Sequence, residues 1–156
     1  MNQFFTQKEA LQKLEHFCAY QERCHAEVVT KLYSLKMSPD EIDTIVVQLI
    51  ENNFLNETRF ACSFARGKHR IKSWGRIRIT NELKARQISS TNITLALKEI
   101  AEEYETTFDL LAEKAWNSIL EKNNLKKRKK FCDYMLRRGY ESHLVYDKVT
   151  TLEKED

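Results

Sequence analysis

Residues 32–49 read LYSLKMSPDEIDTIVVQL, and their apolar pattern returns twice further along the chain. Leu32, Met37, Ile42, Val46 and Leu49 are spaced 5, 5, 4 and 3 residues apart. Leu83, Ile88, Ile93, Leu97 and Ile100 keep those spacings within LKARQISSTNITLALKEI, residues 83–100. Met135, Tyr140, Val145, Val149 and Leu152 keep them within MLRRGYESHLVYDKVTTL, residues 135–152. The copies are offset by 51 and 52 residues. Such a period means one supersecondary unit used three times, each copy too small to bury its apolar face alone. It argues against a compact enzyme around one cleft and for an extended surface that follows something long.

The spacings of 3 and 4 are helical. Glycine occurs three times and proline once in 156 residues, too few turn formers for a sheet protein. In the first unit, Thr6 with Glu9 forms a capping box ahead of Leu11, Leu14, Phe17 and Cys18. A second helix is expected from about His25 to Lys36. Ser38-Pro39-Asp40-Glu41 then starts a third, with a capping serine, proline in the first turn and an acid three residues after the cap. The second unit opens at Asn56, with Phe60, Phe64 and Ile71 on one buried stripe, Ser73 capping the next helix and Ser89 in the place of Ser38. The third opens near Thr106, its first helix carrying Leu110, Leu111, Ala115, Ile119 and Leu120. Asn124 caps the next, Gly139 marks a left-handed stop, and Tyr140 opens the last. The expected fold is all-α: three tandem three-helix repeats, residues 1–55, 56–105 and 106–156, stacked into an elongated, curved array. No Gly-, Pro- or Ser-rich linker divides them, so one continuous array is expected.

The net charge of +3 hides a strong pattern. Residues 1–58 carry 5 basic and 9 acidic side chains, whereas residues 59–86 carry 9 basic and 1 acidic. Residues 87–125 return to 3 basic and 7 acidic, residues 126–138 hold 7 and 1, and residues 139–156 hold 2 and 5. Two concentrated basic blocks on an otherwise acidic chain fit a localised polyanion site.

Arg59, Ser63, Arg66 and Arg70 share helical spacing and lie beside the Phe60–Phe64 stripe. Lys126, Lys130 and Arg137 line up in the same way beside Phe131 and Met135. The repeat register sharpens this. A shift of 52 carries Arg76 onto Arg128, Arg78 onto Lys130 and Arg86 onto Arg138, whereas the unit-one equivalents are His25, Glu27 and Leu35. Units two and three thus share a basic second helix. The candidate contact set is Arg59, Arg66, Arg70, Lys72, Trp74, Arg76, Arg78 and Arg86 from unit two, with Lys126, Arg128, Lys130, Arg137 and Arg138 from unit three. Lysine and arginine stripes favour backbone phosphate contact with counterion release over base reading. Part of the pattern could instead be a solvated face, with Arg78 and Glu82 pairing at i, i+4. Trp74 can stack on an exposed base or pack between helices.

Catalytic signals are missing. The chain has no phosphate-binding loop of the Walker type and no paired-glycine nucleotide fingerprint. His16, Cys18, Cys24 and His25 lack the spacing of a zinc site, so no metal and no cofactor is expected. The carboxylates are scattered. The N-terminus lacks the basic start and apolar core of a signal peptide, and no apolar run reaches the roughly 18 residues of a membrane span. A cytoplasmic, non-enzymatic protein with reduced cysteines is expected, acting as a monomer.

Residues 60–88 carry a resemblance. Phe60-Ala61, Phe64, Arg66, Lys72-Ser73-Trp74-Gly75-Arg76-Ile77-Arg78-Ile79, Glu82-Leu83-Lys84 and Ile88 together resemble the central motif of the RecX family, regulators of the bacterial RecA recombinase. Arg137-Arg138-Gly139-Tyr140 is similar to the family's C-terminal signature, and the likeness extends over essentially the whole chain. Two positions depart: the family often has aspartate before the first central helix, here Asn56-Glu57, and lysine-glycine before the residue at Ile88, here Arg86-Gln87. The resemblance implies an array lying in the groove of a RecA–DNA filament. There it would limit filament growth, ATP hydrolysis and recombination during DNA repair and the SOS response. Its partners would be the filament and single- or double-stranded DNA. Units two and three would then hold DNA phosphates or acidic recombinase surface, and the net-negative unit one basic recombinase surface. A free-standing, sequence-tolerant DNA- or RNA-binding helical protein is the alternative, and a pure protein scaffold a third.

Overall fold

The computed structural model describes residues 4–156. Among them the chain forms nine α-helices and no strand: α1 Gln7–Tyr20, α2 His25–Ser34, α3 Pro39–Glu51, α4 Glu57–Lys72, α5 Arg76–Ala85, α6 Ser90–Lys98, α7 Tyr104–Ser118, α8 Asn124–Arg137 and α9 Ser142–Glu155. They group as three three-helix units, as the periodicity requires. Accessible surface is 10027 Å². A compact monomer of this mass would expose about 8,200 Å², so the molecule is drawn out.

The spacing of five that recurs in the sequence has a local cause. Leu35, Arg86 and Arg138 end α2, α5 and α8 in register. The next residue in each unit, Lys36, Gln87 or Gly139, has φ of 65°, 60° or 96°. The amides of Met37, Ile88 and Tyr140 then reach back to the carbonyls of Leu32, Leu83 and Met135 at 3.2, 3.1 and 3.3 Å. This left-handed helix stop brings the two apolar residues five apart together. The second spacing of five joins the residue before the next N-cap to the fourth residue of the next helix, a hydrophobic staple. The caps there are Ser38, Ser89 and Glu141, again in register.

Thr6 and Ser38 form the expected capping boxes with Glu9 and Glu41. Asn56 accepts from the Arg59 amide at 2.9 Å, so the exchange of aspartate for asparagine keeps the cap. Several boundaries differ from expectation. Helix α2 stops at Ser34. Ser73 is not an N-cap: it ends α4 in the left-handed region, and Gly75 precedes α5. Asn123 rather than Asn124 caps α8, and Tyr140 sits just before the α9 cap. Helix α7 begins at Tyr104 and buries Tyr104, Phe108, Ala112, Ala115 and Trp116, whereas Leu110 and Leu120 are exposed. Large aromatic rings bury more area than leucines, and they set that face. Ile71, at the end of α4, is also exposed, because α4 turns Phe60, Ala61, Ala65 and His69 inward.

The core is not continuous. Repeat 1 packs Leu14, Val28, Leu32, Ile45 and Leu49 into a cluster of its own. Repeats 2 and 3 share a second cluster running from Phe60 through Ile79, Ile100 and Phe131 to Val149, to which repeat 1 contributes Cys24. Burial pushes the thiols of Cys18, Cys24 and Cys132 above their ordinary value, and they pack as small apolar groups.

Candidate polyanion interface

Repeats 2 and 3 meet end to end, and this joint positions the candidate site. The Gly75 amide donates to the Arg138 carbonyl at 2.7 Å, the Ile77 amide to the Gly139 carbonyl at 2.9 Å, and the Arg76 amide to the Tyr104 hydroxyl at 3.0 Å. The orphan donors at the start of α5 are thereby satisfied by the end of α8 and by Tyr104 of α7. In return, repeat 3 covers the carbonyl end of α4. Arg138 donates to the Lys72 carbonyl at 2.9 Å and the Tyr140 hydroxyl to the Ser73 carbonyl at 2.8 Å. His69 is fully buried against this joint, stacked on Tyr104 with ring centroids 5.3 Å apart. Its Nδ1 lies 2.8 Å from the Trp74 carbonyl, which only accepts, so Nδ1 carries the proton.

Many of the candidate cations serve this architecture. Arg76 lies over the Tyr104 ring at 3.7 Å and pairs with Glu141 at 2.8 Å, and Tyr104 donates to the same carboxylate. Burial, then the bond to Glu141, pushes the Tyr104 hydroxyl up. Burial alone would raise the Glu141 carboxyl, but hydrogen bonds from Tyr104 and Arg76 outweigh it and hold the carboxyl below its usual value. Arg59 pairs with Glu22 and donates to the Asn53 and Phe54 carbonyls, tying repeat 2 to the end of α3 and to repeat 1. Arg66 and Arg70 pair with Glu99 and Glu103 at 3.4 and 3.0 Å. The basic stretch at 59–86 is thus partly neutralised by the acidic stretch that follows it.

Arg128 pairs with Glu153 at 2.9 Å and Lys130 with Glu121 at 3.3 Å. Glu82 pairs with Arg86 at 2.9 Å, not with Arg78. Arg78 lies over the Trp74 ring at 4.1 Å and reaches the Arg137 carbonyl at 3.3 Å. Trp74 itself is 8% exposed, flanked by Phe64, Lys68 and Arg78. It takes the interhelical role, and no open face is left on which a base could stack.

What remains accessible converges. A cleft of about 650 Å³ lies between the end of α4 and the helices α7 and α8. It brings together Lys72, Lys130, Arg137 and Arg138 of the expected set, and no carboxylate among the described residues lines it. Lys114 of α7 joins them. The sequence reading missed Lys114 because it stands alone in an acidic stretch. Its spacing to Leu111 and Ser118, 3 and 4 residues along one helix face, was the available signal. Lys72, Arg137 and Arg138 sit in last turns, where helix dipoles favour cations by about 0.3–1 kcal/mol each. Lys114 lies mid-helix and has no such reason to be there. Lys126 is exposed on α8 and does not line this cleft.

This architecture is matched in known proteins. A family model described as the RecX second three-helix domain matches residues 56–97, and one described as the RecX third three-helix domain matches residues 102–149. The chain belongs to the RecX family. It is 29% identical over 125 residues to "Regulatory protein RecX" of Chlorobium phaeobacteroides, covering 80% of each chain. It is 31% identical over 94 residues to that of Lactobacillus johnsonii, covering 60% of this chain and 35% of the relative. The chain therefore spans about a third of the length of that RecX protein. RecX from Lactobacillus salivarius has a crystal structure that superposes with a TM-score of 0.73 at 24% identity, covering 96% of this chain and 95% of that one. Another RecX crystal structure gives 0.81 at 20% identity, covering 93% of this chain and 71% of that one. These two likenesses show the fold. No helix among the described residues is long and apolar enough to cross a membrane.

Proposed function

We propose that this RecX-family protein is a cytoplasmic, non-catalytic regulator of a RecA-type recombinase. It binds the recombinase–DNA filament and restrains its growth, ATP hydrolysis and strand exchange. Family membership supports the regulatory role. The contact is carried by one observation: the carboxylate-free cleft where Lys72, Lys114, Lys130, Arg137 and Arg138 converge at the joint of repeats 2 and 3. Lys72, Lys114 and Arg137 have no ion-pair partner among the described residues, while Lys130 also pairs with Glu121 and Arg138 also donates to the Lys72 carbonyl. Cations converging in this way hold phosphates, releasing counterions and reading no bases. The joint is rigid, since both helix ends at it are capped across the repeat boundary, so the cations are presented at fixed spacing.

The test is a titration of the protein into recombinase filaments on single-stranded DNA, following ATP hydrolysis. The expected result is a fall in hydrolysis at well below one protein per recombinase subunit. Unchanged hydrolysis at a full equivalent, with salt-sensitive binding to naked DNA, would move the protein to the free-standing nucleic-acid-binding class.

A further inference from the structure

We infer that the polyanion track runs on from the repeat 2–3 cleft through repeat 1, and that its occupant is a single-stranded nucleic acid. This rests on the reading of the basic cleft given above. A second groove, of about 1060 Å³, separates α2 of repeat 1 from α4 of repeat 2, and it shares Ile71 and Lys72 with the first cleft. A third, of about 770 Å³, lies between α1 and α2, and shares Phe17 and Lys31 with the second. The three recesses thus share lining residues in succession across all three repeats.

Their lining is cationic throughout. Lys13 and Lys31 flank the outer recess and Lys68 the middle one. Among the described residues the only carboxylates lining any of the three are Glu22 and Glu27. Glu22 is paired to Arg59, and Glu27 lies 3.7 Å from Arg23. Repeat 1, acidic in sum, thus turns a basic face to the track, and its assignment to basic recombinase surface gives way to a nucleic-acid role.

The shape and the apolar groups choose the strand type. Tyr20 and Ile71 are each 83% exposed beside these recesses, placed where unstacked bases could lie on them. Gly67 faces the middle groove with nothing within 4 Å of where a Cβ would stand. Glycine inside a helix is less favourable than alanine. Here it leaves room for a backbone to pass close to α4. Lysines alternating with exposed apolar side chains along recessed clefts suit a flexible single strand, whereas a duplex presents its bases only inside its grooves.

The experiment measures fluorescence anisotropy of labelled oligothymidylates of increasing length, without recombinase, at several salt concentrations. Wild type is compared with Lys13→Gln/Lys31→Gln, with Tyr20→Ala, and with Lys72→Gln/Lys114→Gln as the control for the first cleft. All these side chains are exposed, and circular dichroism checks the fold. Wild-type affinity is expected to rise with length and then level off. The double repeat 1 variant should level off at a shorter length, with a log–log salt slope shallower by about 1.4, about 0.7 per lost phosphate contact. Tyr20→Ala should weaken binding several-fold with the slope unchanged. Identical length curves for wild type and both repeat 1 variants would overturn the inference. So would tighter binding to a duplex of equal length, or displacement by polyglutamate as effective as by unlabelled strand. Strand binding with these properties but no effect on recombinase hydrolysis would refute the regulatory reading alone. An effect on hydrolysis without strand binding would refute this inference alone.

Discussion

The backbone of Gly75 packs directly on that of Gly139. A Cβ built on Gly75 would lie 2.6 Å from the Tyr140 nitrogen, and one built on Gly139 would lie 2.5 Å from the Arg78 nitrogen. One joint therefore accounts for two glycines 64 residues apart in the sequence, each in a separate motif. Gly75→Ala and Gly139→Ala should each destabilise the protein by about 2–3 kcal/mol, from overpacking against backbone that cannot yield. Because both disturb the same joint between α5 and the end of α8, the double variant should lose less than the sum. Urea denaturation of the three variants checks this.

Gln87 adopts φ 60° at the register position that Gly139 occupies in the next repeat. A side chain in the left-handed region costs roughly 1–2 kcal/mol, part of which glycine returns through the greater entropy of the unfolded chain. Gln87→Gly should therefore stabilise by about 0.5–1 kcal/mol and raise the midpoint by about 1–4 °C, read by thermal denaturation. A lower midpoint would show that the Gln87 side chain contributes contacts that outweigh the strain.

The Glu141 carboxyl sits below its ordinary value in the folded state because Tyr104 and Arg76 donate to it, against the opposing effect of its burial. A depressed folded value means that its contribution is complete above the unfolded value of about 4.3. It is lost as pH falls through the folded value. Glu141→Gln should be less stable than wild type at pH 7 by about 1 kcal/mol, given the partial exposure of the pair. The gap should close below pH 4. Denaturation midpoints of both proteins from pH 3 to 7 measure it.

Arg59 belongs to the joint between repeats 1 and 2. Arg59→Ala should cost about 1–3 kcal/mol, since it leaves Glu22 and two helix-end carbonyls without their donor. It should also speed hydrogen exchange in repeat 1, which has its own core. The salt slope of polyanion binding should stay as in wild type. A shallower slope would place Arg59 among the phosphate contacts.

Repeats, helix type and most caps were legible in the sequence because they arise from local rules. The spacings of 5, 5, 4 and 3 encode a helix stop, a staple and a helical face, each within a few residues. Faces misread at Ile71, Leu110 and Leu120 depended on which neighbouring helix arrived, and on aromatic rings outcompeting leucines for the interior. The site was legible as charge density but not as geometry. Arg59, Arg66, Arg70, Arg76 and Arg128 find carboxylates 25 to 65 residues away in the chain. No periodicity marks such pairs. Lys114 was hidden by the converse effect: a single cation in an acidic stretch that folding carries to a basic cleft.

The most direct measurement compares wild type with the Lys72→Glu/Lys114→Glu/Arg137→Glu variant in binding to preformed recombinase filaments on single-stranded DNA, with thermal midpoints recorded alongside. These three side chains have no ion-pair partner among the described residues, so the variant should keep its fold and midpoint. The account expects affinity to fall by at least tenfold and inhibition of ATP hydrolysis to be lost with it. A variant that folds, binds and inhibits like wild type would contradict the assignment of the cleft as the filament contact.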